Sequence, residues 1–168
     1  MRSIRIAAPP NYGKMGRMRQ RDITTQFGAL TLVEADDHIV RLNWGASGRA
    51  DASPVLDAAC AQLTAYDAGT RQAFDVPMRV QGGALQQAVC AAMADIPFGE
   101  TLTYGDIARA LGVSAQAVGQ ACGRNPIPIM IPCHRVMGAK GLTGFSGAGG
   151  VEPKLALLKH EGAGDFLI

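Results

Sequence analysis

Aromatic residues and charge are both scarce in this chain of 168 residues: 5% are Phe, Trp or Tyr and 18% are charged. With 48% hydrophobic residues beside so little charge, a disordered chain is excluded and a globular one with a sizeable core is expected. At this length the core belongs to one domain or to two small ones. No hydrophobic run approaches a membrane span, and the opening residues lack the apolar centre of a signal peptide. Cys60, Cys90, Cys122 and Cys133 contain no Cys-x-x-Cys pair and do not sit at finger-like spacing with His38, His134 or His160. That pattern speaks against a disulfide framework and against a zinc site, and for a reduced, cytoplasmic setting. The net charge of +2 is too small to imply a nucleic-acid partner by itself.

The distribution of charge is lopsided. Arg2, Arg5, Lys14, Arg17, Arg19 and Arg21 precede the first convincing element, with Asp22 the one acid among them. Residues 1–23 therefore read as a flexible basic arm, either a solvated tail or a contact for phosphates. Residues 24–82 read as an α/β domain. Phe27 to Val33 and His38 to Trp44 are β-rich runs reversed at Asp36-Asp37. Ser53 caps a helix with Pro54 at its first position and an apolar face of Val55, Leu56, Ala59, Leu63 and Tyr66, ended by Gly69. Ala73 to Val80 is strand-like, with Pro77 marking it as an edge.

Gly82-Gly83 is the candidate domain boundary, and residues 83–168 form the second domain. Leu85, Val89, Met93 and Ile96 space out along one helix face before Pro97. Thr103, with Asp106 as its capping-box partner, opens a short helix carrying Ile107 and Leu111 inward; Ser114 opens another, with Val118, Ala121 and Cys122 inward. Two short helices joined through Gly112-Val113 are either a helix-turn-helix or an ordinary helical hairpin. The last helix is read from Pro153, with Leu155 and Leu158 inward, and ends at His160-Glu161 before Gly162.

Between these helices lies Asn125-Pro-Ile-Pro-Ile-Met-Ile-Pro-Cys-His-Arg-Val136. Its prolines remove backbone donors and restrict their neighbours, so the run reads as a buried, stiff, extended segment presenting Cys133 at its end. A thiol beside an imidazole is a candidate nucleophile, whereas a lone cysteine is commonly a small core hydrophobe. The Gly-rich stretch Gly138 to Gly150, holding Phe145 and Ser146, either approaches a ligand closely or makes tight turns.

Taken together, Thr103-Tyr-Gly105, Arg124-Asn-Pro126, Ile131-Pro-Cys-His-Arg-Val136, Gly144-Phe-Ser146 and Leu157-Leu158 followed by His160-Glu-Gly162 resemble the O6-alkylguanine-DNA alkyltransferase family (methylated-DNA–protein-cysteine methyltransferases). The resemblance implies a ribonuclease H-like α/β domain followed by a mainly helical, winged-helix-like domain with a helix-turn-helix. It implies single-turnover DNA repair, in which an alkyl group on O6 of guanine passes to Cys133 without a cofactor or metal. It further implies a Cys133–water–His134–Glu161 relay, a turn held by Asn125, and a proton or hydrogen bond from Tyr104 to the leaving base. Ser146, Phe145 and the carbonyls of Cys133 and Val136 would line the base pocket. Gln116, Ala117, Arg124 and Arg135 would contact double-stranded DNA, entered from the minor groove with the base flipped out by a monomeric protein. Relatives carry an arginine where Gln116 stands and a tyrosine where Phe145 stands, and the Ser146 to Gly150 loop is longer here than in some of them; these departures bear on substrate range. Two rivals are a non-catalytic relative that binds lesions and signals to other repair machinery, against which Cys133 itself counts, and a thiol hydrolase, for which no oxyanion-hole motif is present.

Overall fold

The computed structural model describes residues 6–7, 16–141 and 151–163. The chain divides into two compact units, Met1–Gln81 and Gly82–Ile168.

The first unit is a five-stranded sheet in the order β1-β5-β4-β3-β2, with one helix. Its elements are β1 (Ile6–Ala7), β2 (Arg19–Thr25), β3 (Gly28–Ala35), β4 (His38–Trp44), α1 (Pro54–Asp67) and β5 (Met78–Arg79). β2, β3 and β4 form an antiparallel meander. The reversal into β4 is made by Asp36 and Asp37, both with positive φ (49° and 60°). A two-residue hairpin whose twist matches its strands needs that left-handed conformation, which Asp tolerates better than most residues. Helix α1 starts at Ser53, whose hydroxyl accepts from the Leu56 amide, and lies against β2, β3 and β4. Leu56, Ala59, Leu63 and Tyr66 are its buried residues, and Tyr66 sits between the rings of Phe27 and Phe74 at 6.3 and 5.5 Å.

Two expectations are corrected here. The reading of residues 1–23 as a flexible arm fails from Arg19 onward, because Arg19–Thr25 is a full strand paired with β3. Its charges are committed within the unit: Arg19 to Glu34 at 3.3 Å and Arg21 to Asp57. Asp22 accepts from Thr31, from the Ser47 hydroxyl and from the amides of Ser47 and Gly48, tying down the loop beside the strand. Nor is the segment after Pro77 an edge. β5 lies between β1 and β4, and proline is accommodated because it precedes the strand and contributes only its carbonyl, to the Ile39 amide at 2.9 Å.

The second unit holds α2 (Ala84–Ala94), β6 (Leu102–Thr103), α3 (Tyr104–Leu111), α4 (Ala115–Gly123), a 3-10 turn (Cys133–Arg135), β7 (Val136–Met137) and α5 (Val151–His160). β6 and β7 pair in parallel. On α2, Val89, Cys90 and Met93 are buried while Leu85 is exposed. Thr103 and Asp106 form a reciprocal capping box, Gly112 ends α3 in the left-handed conformation, and the Ser114 hydroxyl caps α4. α4 packs on both α3 and α2. α5 begins two residues before Pro153, and its buried side chains are Lys154, Leu157 and Leu158 rather than Leu155. Among the described residues no helix is long and apolar enough to cross a membrane.

The capping box fixes the entry of α3 and with it the placement of Tyr104, the helix's first residue. Thr103→Ala is expected to cost about 1 kcal/mol, read as a lower urea midpoint with an unchanged denaturant slope.

Candidate active site

From Ile127 to Pro132 the run is buried as expected, with Asn125 and Pro126 half-buried, but it is not extended. It turns repeatedly: the amide of Met130 donates to the Pro128 carbonyl, that of Ile131 to Ile127, and that of Cys133 to Ile131 at 2.8 Å. Ile129, 2% exposed, has φ of 71°. A β-branched residue in the left-handed region is strained and persists only where its surroundings enforce it. Asn125 provides part of that enforcement. Its Oδ1 accepts from the Ile127 amide at 3.0 Å and its Nδ2 donates to the Ile131 carbonyl at 2.8 Å, so one side chain spans the turn from both ends. The same side chain favours the thiolate form of Cys133.

Cys133 opens the 3-10 turn and is 8% exposed. Burial pushes its thiol above the ordinary value, while the Asn125 side chain, the Lys154 charge and the amides of Cys133 and His134 pull the other way. Burial also raises Cys90 to about 11 and Cys122 to about 12. These thiols are therefore poor nucleophiles unless something removes a proton, and only Cys133 adjoins an imidazole.

His134 and Glu161 are both buried, with Nε2 and Oε1 2.7 Å apart. Arg135 grips the same carboxylate with two parallel bonds, Nε to Oε2 at 2.8 Å and Nη2 to Oε1 at 2.9 Å. Its remaining nitrogen, Nη1, donates to the Ile96 carbonyl at 2.6 Å, and its guanidinium carbon lies 5.8 Å from the Phe98 ring centre. The Gly99 amide adds a long bond to Oε2 at 3.3 Å. Gly99 has φ of 79°, a conformation that favours glycine, and a Cβ there would stand a tight 3.1 Å from the Glu161 carbonyl. Burial alone would raise the Glu161 carboxyl, but the hydrogen bonds and charges of His134 and Arg135 outweigh it and hold the group far below the usual carboxylate range. For His134, burial lowers the imidazole, Glu161 opposes that, and Arg135 and Lys154 reinforce it. His134 Nδ1 is buried and makes no hydrogen bond among the described residues.

Arg135 is therefore placed differently from the DNA-contact role expected of it: at 5% exposure its guanidinium is committed to Glu161 and Ile96. Val136 is fully buried in β7, and its carbonyl accepts from Lys154 Nζ at 2.5 Å. Lys154, 1% exposed, is the residue that sequence reasoning missed. The signal was its register: it lies three, four and seven positions before Leu157, Leu158 and Glu161, on the inward face of α5. Burial lowers its ammonium, and the thiols of Cys133 and Cys122 act against that. Tyr104 is half-buried at the start of α3. Gln116 is exposed and Ala117 half-buried in the first turn of α4, and Arg124 is exposed at its end. Phe145 and Ser146 lie outside the described residues. Among the described residues no cluster of His, Cys, Asp and Glu could hold a metal ion.

Two buried groups contribute to the acid response. Glu161, depressed in the folded state, contributes stability that is complete above the unfolded value of about 4.3 and is lost as pH falls through the folded one. His134, buried neutral, is uninfluential above about 6.5 and disfavours the fold below it, where the unfolded imidazole takes a proton. The urea midpoint should therefore fall below about pH 6.5 and more steeply below about 4.3. Glu161→Gln should lessen the steeper part and, by stranding the Arg135 charge, be about 3–5 kcal/mol less stable at neutral pH.

Residues 84–163 match the family described as 6-O-methylguanine DNA methyltransferase, DNA binding domain. A methylated-DNA–protein-cysteine methyltransferase of Methanosarcina acetivorans is 50% identical over 105 residues, 61% of this chain and 66% of the relative. One from Mycolicibacterium paratuberculosis is 39% identical over 156 residues, covering 84% of this chain and 90% of the relative. The crystal structure of Mycobacterium tuberculosis O6-methylguanine methyltransferase superposes with a TM-score of 0.78 at 38% identity, over 88% of this chain and 94% of that one. The Mycobacterium tuberculosis protein solved in complex with DNA gives 0.76 at 39% identity, over 85% and 92%.

Proposed function

Since the chain belongs to the methylated-DNA–protein-cysteine methyltransferase family, we propose that it binds DNA and repairs it by moving the alkyl group from O6 of guanine to Cys133 in a single turnover. The match to the first relative covers 66% of that protein's length, so the activity is argued from this chain's own residues. The observation that carries it is the alignment of Cys133 and His134 on one 3-10 turn, with Glu161 on His134 Nε2 and Nδ1 left over.

Glu161 accepts a hydrogen bond from Nε2–H, so the Nδ1 lone pair of neutral His134 is the base. Through one water it takes the Cys133 proton, and the thiolate attacks the alkyl carbon in line with the C–O6 bond. A carbon–sulfur bond forms, the carbon–oxygen bond breaks, and the electron pair leaves on guanine. Tyr104 supplies a hydrogen bond or proton to that anion, and Ser146 bonds O6. The product is a thioether that nothing in the site can hydrolyse, which makes the reaction stoichiometric.

A base within the duplex cannot reach a buried thiol, so it is flipped out. α3 and α4 act as the helix-turn-helix of a winged-helix-like domain, and α4, built of Ala, Gln, Gly, Val and Cys, suits close approach to the minor groove. Arg124 at its end is the candidate phosphate contact. The first unit is assigned to the ribonuclease H-like class, and the protein works as a monomer.

Duplex DNA carrying labelled O6-methylguanine should leave its label on Cys133 in a peptide map. Cys133→Ser should bind DNA and take no label, whereas Ala at Cys60, Cys90 or Cys122 should leave the transfer rate near that of the parent. Label on another cysteine overturns the assignment, and binding without transfer by the parent selects the non-catalytic alternative.

Gln116 is assigned to the gap left in the base stack. Unstacking costs a few kcal/mol, which an inserted side chain offsets in part. Gln116→Ala is expected to slow reaction with duplex far more than with free O6-alkylguanine base. Gln116→Arg should steepen the salt dependence of DNA binding by roughly one unit of slope. Equal rates for Gln116→Ala and parent on duplex would assign the wedge elsewhere.

A further inference from the structure

The relay as described makes no use of Arg135, yet this arginine is among the most constrained side chains in the second unit. All three of its guanidinium nitrogens are engaged, two on Glu161 and one on the Ile96 carbonyl. Its plane is further supported by Phe98. Burying an arginine in this way is costly unless its charge is matched and its donors are satisfied, and here both conditions hold.

The charge count explains what that match does. A buried carboxylate with a histidine as its one partner would favour imidazolium, because the ion pair is better than an isolated anion. Glu161 already has a full positive partner in Arg135, so a proton on His134 would leave the cluster with one uncompensated positive charge. Lys154, facing the same site from α5, adds to that penalty, and the neighbouring Cys133 and Cys122 are uncharged as thiols. His134 is therefore neutral at rest. A neutral imidazole has one N–H, and the ionised carboxylate 2.7 Å from Nε2 fixes it there.

We propose that Arg135 is a positioning residue of the proton relay: its fork on Glu161 keeps His134 neutral, with the proton on Nε2 and the lone pair of Nδ1 directed at the water that serves Cys133. The proposal rests on the reading of Cys133 as the alkyl acceptor. The fork matters as well as the charge. Arg135 shares Oε1 with His134 and holds Oε2 itself, so the carboxylate cannot rotate away from the ring. Lysine would bring the charge without the two-point grip. When the Cys133 proton arrives, the relay becomes positive beside a new thiolate, and the two charges form only together.

Three measurements test this. In the parent, nitrogen NMR of the His134 ring at neutral pH should show the neutral tautomer protonated on Nε2; an imidazolium, or the other tautomer, overturns the proposal without any variant. In Arg135→Gln the acid limb of the pH–rate profile on O6-methylguanine duplex should move to higher pH. The rate at neutral pH should fall roughly tenfold or more and recover as pH rises, with Arg135→Lys in between. An acid limb at the parent's position, whatever the loss of rate, means that Arg135 is merely structural and overturns the proposal. The salt slope of DNA binding should be the same in Arg135→Gln as in the parent; a slope lower by about one unit would make Arg135 a phosphate contact and overturn the proposal too. If the parent transfers no label at all, the alkyltransferase reading fails, while the His134 ring measurement repeated in Arg135→Gln still decides the role of Arg135: a neutral Nε2 tautomer unchanged there overturns the proposal.

Discussion

The carboxylate of Glu161 is the point on which the second unit converges. Its two oxygens receive His134 and Arg135 from the 3-10 turn and the Gly99 amide from the loop after α2, while its own backbone closes α5. Arg135 carries the connection onward to Ile96, at the end of the α2 segment. A single ionised group thus sets the mutual placement of α2, the nucleophile turn and α5. Removing one partner of such a buried pair is far more harmful than never having built it, because the remaining charge is left in a dry interior.

The turn that presents Cys133 is held by a different device. Pro128 and Pro132 limit the backbone, Ile129 accepts a left-handed conformation that its side chain disfavours, and Asn125 spans the turn with both ends of its amide. Strain of this kind survives only where the surroundings enforce it, and Ile127 to Pro132 are buried throughout. The coupling is direct: the helix proposed to read DNA ends at Arg124, and the next residue is the Asn125 that organises the thiol.

How much of this could be read from the sequence varies with the physics of each element. The Ser53 and Thr103 caps, the Asp36-Asp37 reversal and the adjacent Cys133 and His134 were legible because local chemistry decides them. β2 was not, since Arg19 to Thr25 carries polar residues with no apolar alternation, and its strand character comes from pairing with β3. The proline run was read as extended because proline excludes helix, but exclusion of helix leaves turns as well as strands. Arg135 was assigned to DNA by the resemblance alone; only the fold reveals the carboxylate that retains it, a charge that arginine would more often carry to solvent. Lys154 escaped for the same reason, a charge standing on a helix face whose other members are apolar.

The partners of the proposed relay are far apart along the chain, and that separation has a consequence for the newly made protein. His134 and Glu161 are 27 positions apart. At synthesis rates of about 5–20 residues per second, Cys133 leaves the ribosome on the order of seconds before the carboxylate that completes its neighbourhood. During that interval neither the fork of Arg135 nor the orientation of His134 exists. On the proposed reading that sulfur is used once, and the newly made protein would begin with it unassisted until the last helix docks.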